Sequence, residues 1–282
     1  MRNIMTVDVE DWFQVGAFES TIKRSDWARL EHRVARNCDI VLGIFEDAGV
    51  KATFFTLGWV ADHYPRLIRR IADAGHEIAS HGWDHRRVFQ MTQAEFEADL
   101  SRSRQAIEQA SGIPVLGYRA PSFSIDHRTL WAHQTLAAQG YAYSSSVAPI
   151  HHDHYGWPDS PRFAWQPVSG STMREVPITT AHLFGRRVAA GGGGFFRLMP
   201  YAMFHSLVTQ VNRVDRQPAI FYFHPWEIDP NQPRVSGAPF KSRLRHYLNL
   251  NQMGGKLRRL LADFEWGRMD EALMTPLAQV AA

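Results

Sequence analysis

The alternation of strand and helix patterns constrains the fold of this chain more than any other feature. Short apolar runs are separated by amphipathic stretches that end in glycine, such as Val34 to Gly49 and Pro65 to Gly75. The clear strand-like runs are NIMTVDV, ATFFTLG, HEIAS, VLGYRAP, YAYSSS and PAIFYFHP. Alternating βα units place their strands in parallel, and enough of them close into a barrel. The sequence therefore predicts an α/β fold built around a parallel sheet.

Polar residues follow these strand patterns where each strand ends. The first run leads into Asp8, Glu10 and Asp11, the third into SHGWDH, the fourth into RAPSF and the last into HPWE. Active sites of α/β barrels lie at the carboxyl ends of the strands. We therefore expect these segments to meet at one end of the barrel.

The three carboxylates after the first strand need a positive partner. Like charges this close repel and raise one another's pKa, and a metal ion or an arginine offsets that repulsion. His81 and His85 stand four residues apart, a spacing that puts both rings on one face of a helical turn. Two histidines and one carboxylate form a typical open zinc site, with a position left for water. The pattern therefore predicts a metal site.

Taken as a set, TVDVED, SHGWDH, YRAPSF and FYFHP resemble the motifs of the polysaccharide deacetylase family, which has a NodB homology domain and is also called carbohydrate esterase family 4. Within it the chain is most similar to the subgroup found with exosortase and exopolysaccharide gene clusters. The resemblance implies an irregular (β/α)7 barrel in a single domain over residues 1–282, with a family-specific extension at about 225–282. It also implies a metal-dependent hydrolase that removes N-acetyl groups from N-acetylhexosamine residues of a glycan, in exopolysaccharide biosynthesis.

The resemblance assigns roles at the first three motifs. Asp8 matches the catalytic base, and Arg119 matches the arginine that pairs with it. His81 and His85 match the two metal-binding histidines. The carboxylate ligand stays open: strand alternation favours Glu10, whereas a bend at the strand end would bring Asp11 to the metal.

The remaining motifs supply the oxyanion site and the acid. Pro121 fits its motif, but Ser122 precedes Phe123 where the family has an aromatic residue directly after the proline. Ser122 would then offer the backbone N–H that stabilises the oxyanion. His224 matches the general acid.

One position departs from the family pattern. Ser144 stands where related chains carry an aspartate that tunes the acid histidine. Either Glu227, Asp229 or another carboxylate replaces it, or the acid is weaker.

Three tryptophans lie within a few residues of a motif. Trp12, Trp83 and Trp226 are candidates for stacking on a pyranose ring, and the alternative is that they belong to the core at the barrel rim. The Gly191 to Gly194 run is expected to be a loop and not a phosphate cradle, because it lacks the lysine of a P-loop. The histidines between His151 and His154 are expected to line a surface or substrate loop.

Composition excludes several other classes. The single cysteine, Cys38, rules out an internal disulfide and a multi-cysteine zinc site. The net charge of +3 is scattered, with one small cluster at Lys256, Arg258 and Arg259, which predicts no nucleic-acid partner but is compatible with an anionic lipid or polysaccharide. There is no apolar run of about 18 residues, so no transmembrane helix is expected. The first residues predict a strand and not a signal peptide, so we expect a cytoplasmic protein.

The metal, the glycan and the oligomeric state are left open. Zinc is favoured, and Co²⁺, Mn²⁺ and Fe²⁺ accept the same ligands. An allantoinase-like hydrolase of small amides is the enzymatic alternative, and retention of His81 and His85 argues against it. A catalytically impaired glycan-binding protein is the other alternative, with Ser144 as its only support.

Overall fold

The computed structural model describes residues 1–151 and 156–274. Its strands are β1 (Asn3–Val9), β2 (Thr53–Thr56), β3 (Glu77–Ser80), β4 (Gly117–Tyr118), β5 (Tyr143–Ser144), β6 (Arg174–Glu175), β7 (Thr180–Leu183), β8 (Arg186–Ala189), β9 (Ile220–Phe223) and β10 (Trp266–Gly267). Its α-helices are α1 (Val34–Asp47), α2 (Gly58–His63), α3 (Pro65–Asp73), α4 (Gln93–Ser111), α5 (Trp131–Ala138), α6 (Gly193–Leu198), α7 (Tyr201–Arg213), α8 (Phe240–Tyr247), α9 (Leu250–Asp263) and α10 (Met269–Met274).

Seven parallel strands form the curled main sheet, in the order β9-β1-β2-β3-β4-β5-β6. The short β10 pairs with the start of β1, and β7 and β8 form a separate antiparallel hairpin. Every residue of β1, β2, β3 and β9 is buried, as expected for parallel strands that are covered on both faces. The predicted irregular seven-stranded (β/α) barrel is confirmed.

The two ends of the sheet approach each other through the segment after β8. The amide of Ala190 donates to the carbonyl of Thr179, and the carbonyl of Gly191 accepts from the amide of Tyr222 in β9. Because these strands are parallel, the carboxyl ends of β1, β3, β4 and β9 lie at the same end of the barrel.

Local sequence signals set the helix that follows β3. Thr92 and Glu95 form a reciprocal capping box at the start of α4, which satisfies two backbone N–H groups at the helix end. Gly112 ends the helix with φ of 75°, a left-handed conformation that glycine adopts without strain. The sequence predicts both ends of this helix.

The structure differs from the sequence expectation at two segments. Residues Gly193 and Gly194 open helix α6, so the glycine run is not only a loop. The hairpin of β7 and β8 was not expected, because its strands carry exposed polar residues and no apolar alternation.

The carboxyl-terminal part packs against the barrel. Leu257, Leu260 and Leu261 of α9 are buried in the main core, as their helical spacing predicts, and β10 joins β1. The single domain over 1–282 with an extension at about 225–282 remains a prediction.

No helix in residues 1–151 and 156–274 combines the length and the apolar character needed to cross a bilayer.

Candidate active site

Glu10, His81 and His85 bring three potential metal ligands together at the carboxyl ends of β1 and β3. One ligand atom from each side chain lies within 4.8 Å of the others, and all three residues are buried. Glu10 Oε2 is 3.2 Å from His85 Nε2, yet this buried oxygen has no hydrogen-bond partner among the described residues. An unpartnered carboxylate oxygen this close to an imidazole nitrogen fits a cation that both atoms would bind. The residues present therefore fit a divalent metal.

The surroundings prepare both histidines for that role. His81 Nδ1 is 2.8 Å from the carbonyl oxygen of Arg119, which can only accept, so the proton is assigned to Nδ1 and Nε2 is left as a ligand. Burial lowers the pKa of His81 to about 4 and that of His85 well below its usual value. Both rings are therefore neutral near pH 7, the form that binds a metal.

The segment from His81 to His85 is an irregular loop, so the expected helical turn is wrong. His85 has φ of 60°, a left-handed conformation that is rare for a residue with a side chain. The ring centroids of His81 and His85 are nevertheless 5.5 Å apart. A strained loop, and not a helix face, brings the two rings together.

Asp11 does not join this cluster. Its carboxylate accepts hydrogen bonds from the backbone amides of Trp12, Arg33 and Val34 at 2.7–3.0 Å. The last two amides open helix α1, where unpaired N–H groups and the helix dipole favour an anion. Of the two alternatives for the carboxylate ligand, the geometry favours Glu10, because the Asp11 oxygens are already used at the helix end.

Substitution should separate these two carboxylates. Loss of a residue that hydrogen-bonds to a metal ligand typically weakens metal binding by about 10–100-fold. Glu10→Gln changes a ligand itself and should weaken metal binding by more than that. Asp11→Asn should leave metal affinity unchanged and reduce the free energy of unfolding by about 1–2 kcal/mol, because a helix-start acceptor is weakened. Competition titration with a chromophoric chelator and chemical denaturation measure the two effects. The opposite pattern would make Asp11 the ligand.

Asp8 and Arg119 form a buried ion pair beside the cluster. Arg119 Nη1 donates to Asp8 Oδ1 at 2.7 Å and to Thr6 Oγ1 at 2.8 Å, and the arginine is fully buried. Its remaining nitrogens donate to the carbonyl and hydroxyl oxygens of Ser145, and its plane lies over the Phe55 ring at 4.0 Å. This network fixes Arg119 and leaves Asp8 Oδ2 facing His224.

His224 completes the group at the end of β9. Its Nε2 is 3.3 Å from Glu10 Oε1 and 4.0 Å from Asp8 Oδ2. Its Nδ1 is 2.9 Å from Glu227 Oε1. Burial alone would lower the pKa of His224, but the Glu10 and Glu227 carboxylates raise it to about 9. Burial likewise raises the pKa of Glu10, to about 7.

Glu227 is the carboxylate that contacts His224. Arg197 of α6 donates to its Oε2 at 2.7 Å and holds its pKa near 2 against the effect of burial. Asp229 instead contacts Arg33 and the amide of Asn231. Ser144 donates to Ser146, within the network of its own strand. Among the alternatives left open by the sequence, the structure therefore places Glu227 next to the histidine.

Sequence analysis did not identify Arg197 and Gly193 as residues of the site. A Cβ on Gly193 would lie 2.4 Å from Glu227 Oε1, so only glycine allows this close approach. The only local signal for them is the glycine run that is followed, after two phenylalanines, by an arginine.

The structure places other side chains against all three tryptophans. Trp12 is buried in a side cluster and donates to the carbonyl of Glu31. The Arg102 guanidinium lies 3.4 Å over the Trp83 ring. Trp226 is stacked between His224 and His246, at 5.1 and 4.0 Å. The burial of Trp12 and Trp226 agrees with the rim-core alternative, and stacking of Trp83 on a pyranose ring stays a prediction.

Pro121, Ser122 and Phe123 form one turn directly after β4. Ser122 and Phe123 have φ of 54° and 49°, both left-handed. The Arg119 guanidinium lies 5.7 Å from the Phe123 ring centroid. The turn is thus next to the buried ion pair, and the oxyanion role of Ser122 stays a prediction. His152 to His154 lie outside the described residues.

Comparison with known proteins adds family information for separate parts of the chain. Residues 31–142 match the polysaccharide deacetylase family, and residues 145–274 match a family described as a domain of unknown function (DUF3473). A peptidoglycan deacetylase of Helicobacter pylori is 29% identical over 40% of this chain and 37% of that protein. The chain spans about a third of the length of the curated relatives it matches.

Solved structures show the same fold over nearly the whole chain. A candidate polysaccharide deacetylase from Mycobacterium smegmatis superposes with a TM-score of 0.63 and 21% identity, covering 96% of this chain and 87% of that one. An allantoinase superposes with a TM-score of 0.60 and 11% identity, covering 96% and 88%. At these identities the likeness concerns the fold alone, and the site must be judged from its own residues.

Proposed function

We propose, starting from the polysaccharide deacetylase match of residues 31–142, that this chain is a metal-dependent hydrolase that removes N-acetyl groups from N-acetylhexosamine residues of a polysaccharide or glycan precursor. One observation carries the proposal. The ligand cluster of Glu10, His81 and His85 lies directly beside an arginine-paired aspartate and a histidine held by a second carboxylate. Amide hydrolysis needs an electrophile, a base and an acid in this arrangement.

Glu10, His81 and His85 would hold the metal. A bound divalent ion supplies a Lewis acid that polarises the amide carbonyl and makes water more acidic. Two imidazole nitrogens and one carboxylate oxygen favour zinc, and Co²⁺, Mn²⁺ and Fe²⁺ accept the same set.

Asp8 is the proposed base. Arg119 holds Oδ1 and keeps the carboxylate in one orientation, so that Oδ2 can accept the proton of the attacking water. The backbone N–H of Ser122, with Pro121 and Phe123 shaping its turn, is proposed to stabilise the oxyanion. The acetyl carbonyl carbon gains the water oxygen, and its bond to the amide nitrogen breaks.

His224 is the proposed acid. Its imidazolium donates a proton to the departing nitrogen, so the products are acetate and a free amino sugar. Glu227, held by Arg197, accepts from Nδ1 and stabilises the charged ring. Glu227 and Arg197 thus take the role of the aspartate that related chains carry at the position of Ser144.

The Glu227 assignment predicts a pH effect. A histidine can donate a proton only below its pKa. Lowering that pKa therefore lowers the highest pH at which the enzyme is active. Glu227→Gln removes a carboxylate that raises the pKa of His224, and we expect the alkaline limb of the kcat profile to move to lower pH by about one unit or more. The pH profile of acetate release measures this.

Asp229→Asn is the matched control for that experiment, because Asp229 contacts Arg33 and not His224. An unchanged alkaline limb in Glu227→Gln, with the melting temperature retained, would remove Glu227 from the acid's role.

The substrate class is proposed to be an N-acetylated glycan of exopolysaccharide biosynthesis. Incubation with N-acetylglucosamine oligomers of increasing length and, separately, with allantoin tests this against the small-amide alternative. We expect acetate from the oligomers and no turnover of allantoin. Turnover of allantoin alone would overturn the assignment.

A further inference from the structure

Helix α8 presents an apolar and basic face to solvent. Phe240 is 77% exposed and Leu244 is 50% exposed, and residues four apart lie on the same side of a helix. The buried His246 lies on the opposite side. Helical periodicity places Lys241 and Arg243 on the two flanks of the Phe240–Leu244 pair. Two large apolar side chains exposed side by side on one helix face mark a candidate interaction surface.

The charge of the surrounding segment is strongly positive. Residues 230–262 include seven lysines and arginines and no aspartate or glutamate. Since the whole chain carries +3, the remaining residues carry −4. Arg258 and Arg259 of α9 form ion pairs with Asp47 and Asp263. The chain therefore concentrates its positive charge in the segment that contains α8.

Packed rings connect α8 to the candidate active site. His246 stacks on Trp226 with 4.0 Å between ring centroids, and Trp226 stacks on His224 at 5.1 Å. Arg197, which holds Glu227, also donates to the backbone carbonyls of Arg245 and His246. The exposed face of α8 thus has a fixed position close to the reactive groups.

We propose that α8 docks this protein onto an anionic phospholipid surface. Phe240 and Leu244 enter the boundary between headgroups and acyl chains, and the exposed Arg243 on the flank of that pair meets the lipid phosphates. Charge complementarity selects an anionic partner. The exposed apolar pair selects a lipid over a sugar polymer or a nucleic acid, because the flat rings of those polymers can stack on Phe240 but offer no apolar layer that would also bury Leu244.

Docking goes beyond the proposed function and does not depend on it. Combined with that function, it specifies the substrate as a glycan held at a membrane surface, and this second part does rest on the deacetylase assignment.

Vesicle sedimentation of the full chain tests the docking. We expect binding to vesicles of phosphatidylglycerol and phosphatidylcholine, weaker binding at high salt, and little binding to phosphatidylcholine alone. Replacing Phe240 and Leu244 together by serine should lower the partition coefficient about 10–100-fold. Phe184→Ser is the matched control, because Phe184 is 94% exposed at the turn between β7 and β8. Acetate release from a soluble oligomer should be unchanged in both variants.

Three results would overturn the docking: no binding to anionic vesicles, full binding by the double variant, or an equal loss in Phe184→Ser. The docking would also be overturned if the protein bound an anionic polysaccharide but no vesicles, and if the double substitution left that binding intact. The surface would then act through its charge alone. Vesicle binding without any acetate release would leave the docking in place and contradict the proposed function, so the two can fail separately.

Discussion

Asp8→Asn is expected to slow acetate release by about 10²–10⁴-fold, the range typical for a positioned acid or base. Asparagine has nearly the same shape but cannot take a proton from water. Metal content should not change, since Glu10, His81 and His85 form the ligand cluster without Asp8. Steady-state kinetics with elemental analysis of the same preparation gives both quantities.

Adding excess metal shows whether Asp8 acts as the base or as a metal ligand. A base acts only in the reaction step, so added metal should not restore the rate of Asp8→Asn. Asp8→Asn removes the negative charge that faces the buried Arg119, so thermal melting must show that the variant still folds. Arg119 keeps Thr6 and Ser145 as hydrogen-bond acceptors. If the variant loses its metal and excess metal restores the rate, Asp8 is a ligand and the base must be sought elsewhere.

Replacing both His81 and His85 by alanine should abolish metal binding and reduce acetate release to background. Glu10 would then be the only member of the cluster left, and a single carboxylate is a poor ligand set for a transition metal. Elemental analysis should find close to one metal ion per wild-type chain and none in the double variant.

A double substitution of the exposed His63 and His182 is the matched control for the loss of two imidazoles. It should keep both the metal and the rate. A His81 and His85 double variant that retains its metal would place the site elsewhere, and the segment from His151 to His154 would be the first to test.

The sequence predicted much of the fold because its signals are local. The capping box of Thr92 and Glu95 and the glycine at position 112 set α4, and buried runs such as β1 set the parallel strands. Strand alternation also favoured Glu10 over Asp11, in agreement with the geometry. The resemblance to polysaccharide deacetylases is supported over residues 31–142, whereas the exopolysaccharide subgroup stays a proposal.

What the sequence could not show depends on distant contacts. Arg197 meets Glu227 across thirty positions, and Gly193 is required only because that carboxylate packs against it. Arg102 lies over Trp83 and His246 stacks on Trp226, and no local pattern connects these pairs. Periodicity also suggested a helical turn for His81 and His85, where left-handed backbone brings the rings together instead.

The position of Glu227 also bears on whether the site is complete. Ser144 was the only feature in favour of an impaired glycan-binding protein, and a carboxylate contacts His224 without it. The allantoinase-like fold does not decide between the enzymatic alternatives, because likeness at 11% identity concerns the fold alone. The Glu10, His81 and His85 cluster favours the metal-dependent reaction.

Mass spectrometry of N-acetylglucosamine oligomers incubated with the purified protein, with and without a chelator, tests whether the protein is a metal-dependent deacetylase. We expect stepwise loss of acetyl groups, no loss after chelation, and renewed loss when one equivalent of zinc is added. Loss of acetyl groups that a chelator leaves unchanged would contradict the metal's role. No loss from any oligomer in the presence of metal would contradict the deacetylase itself.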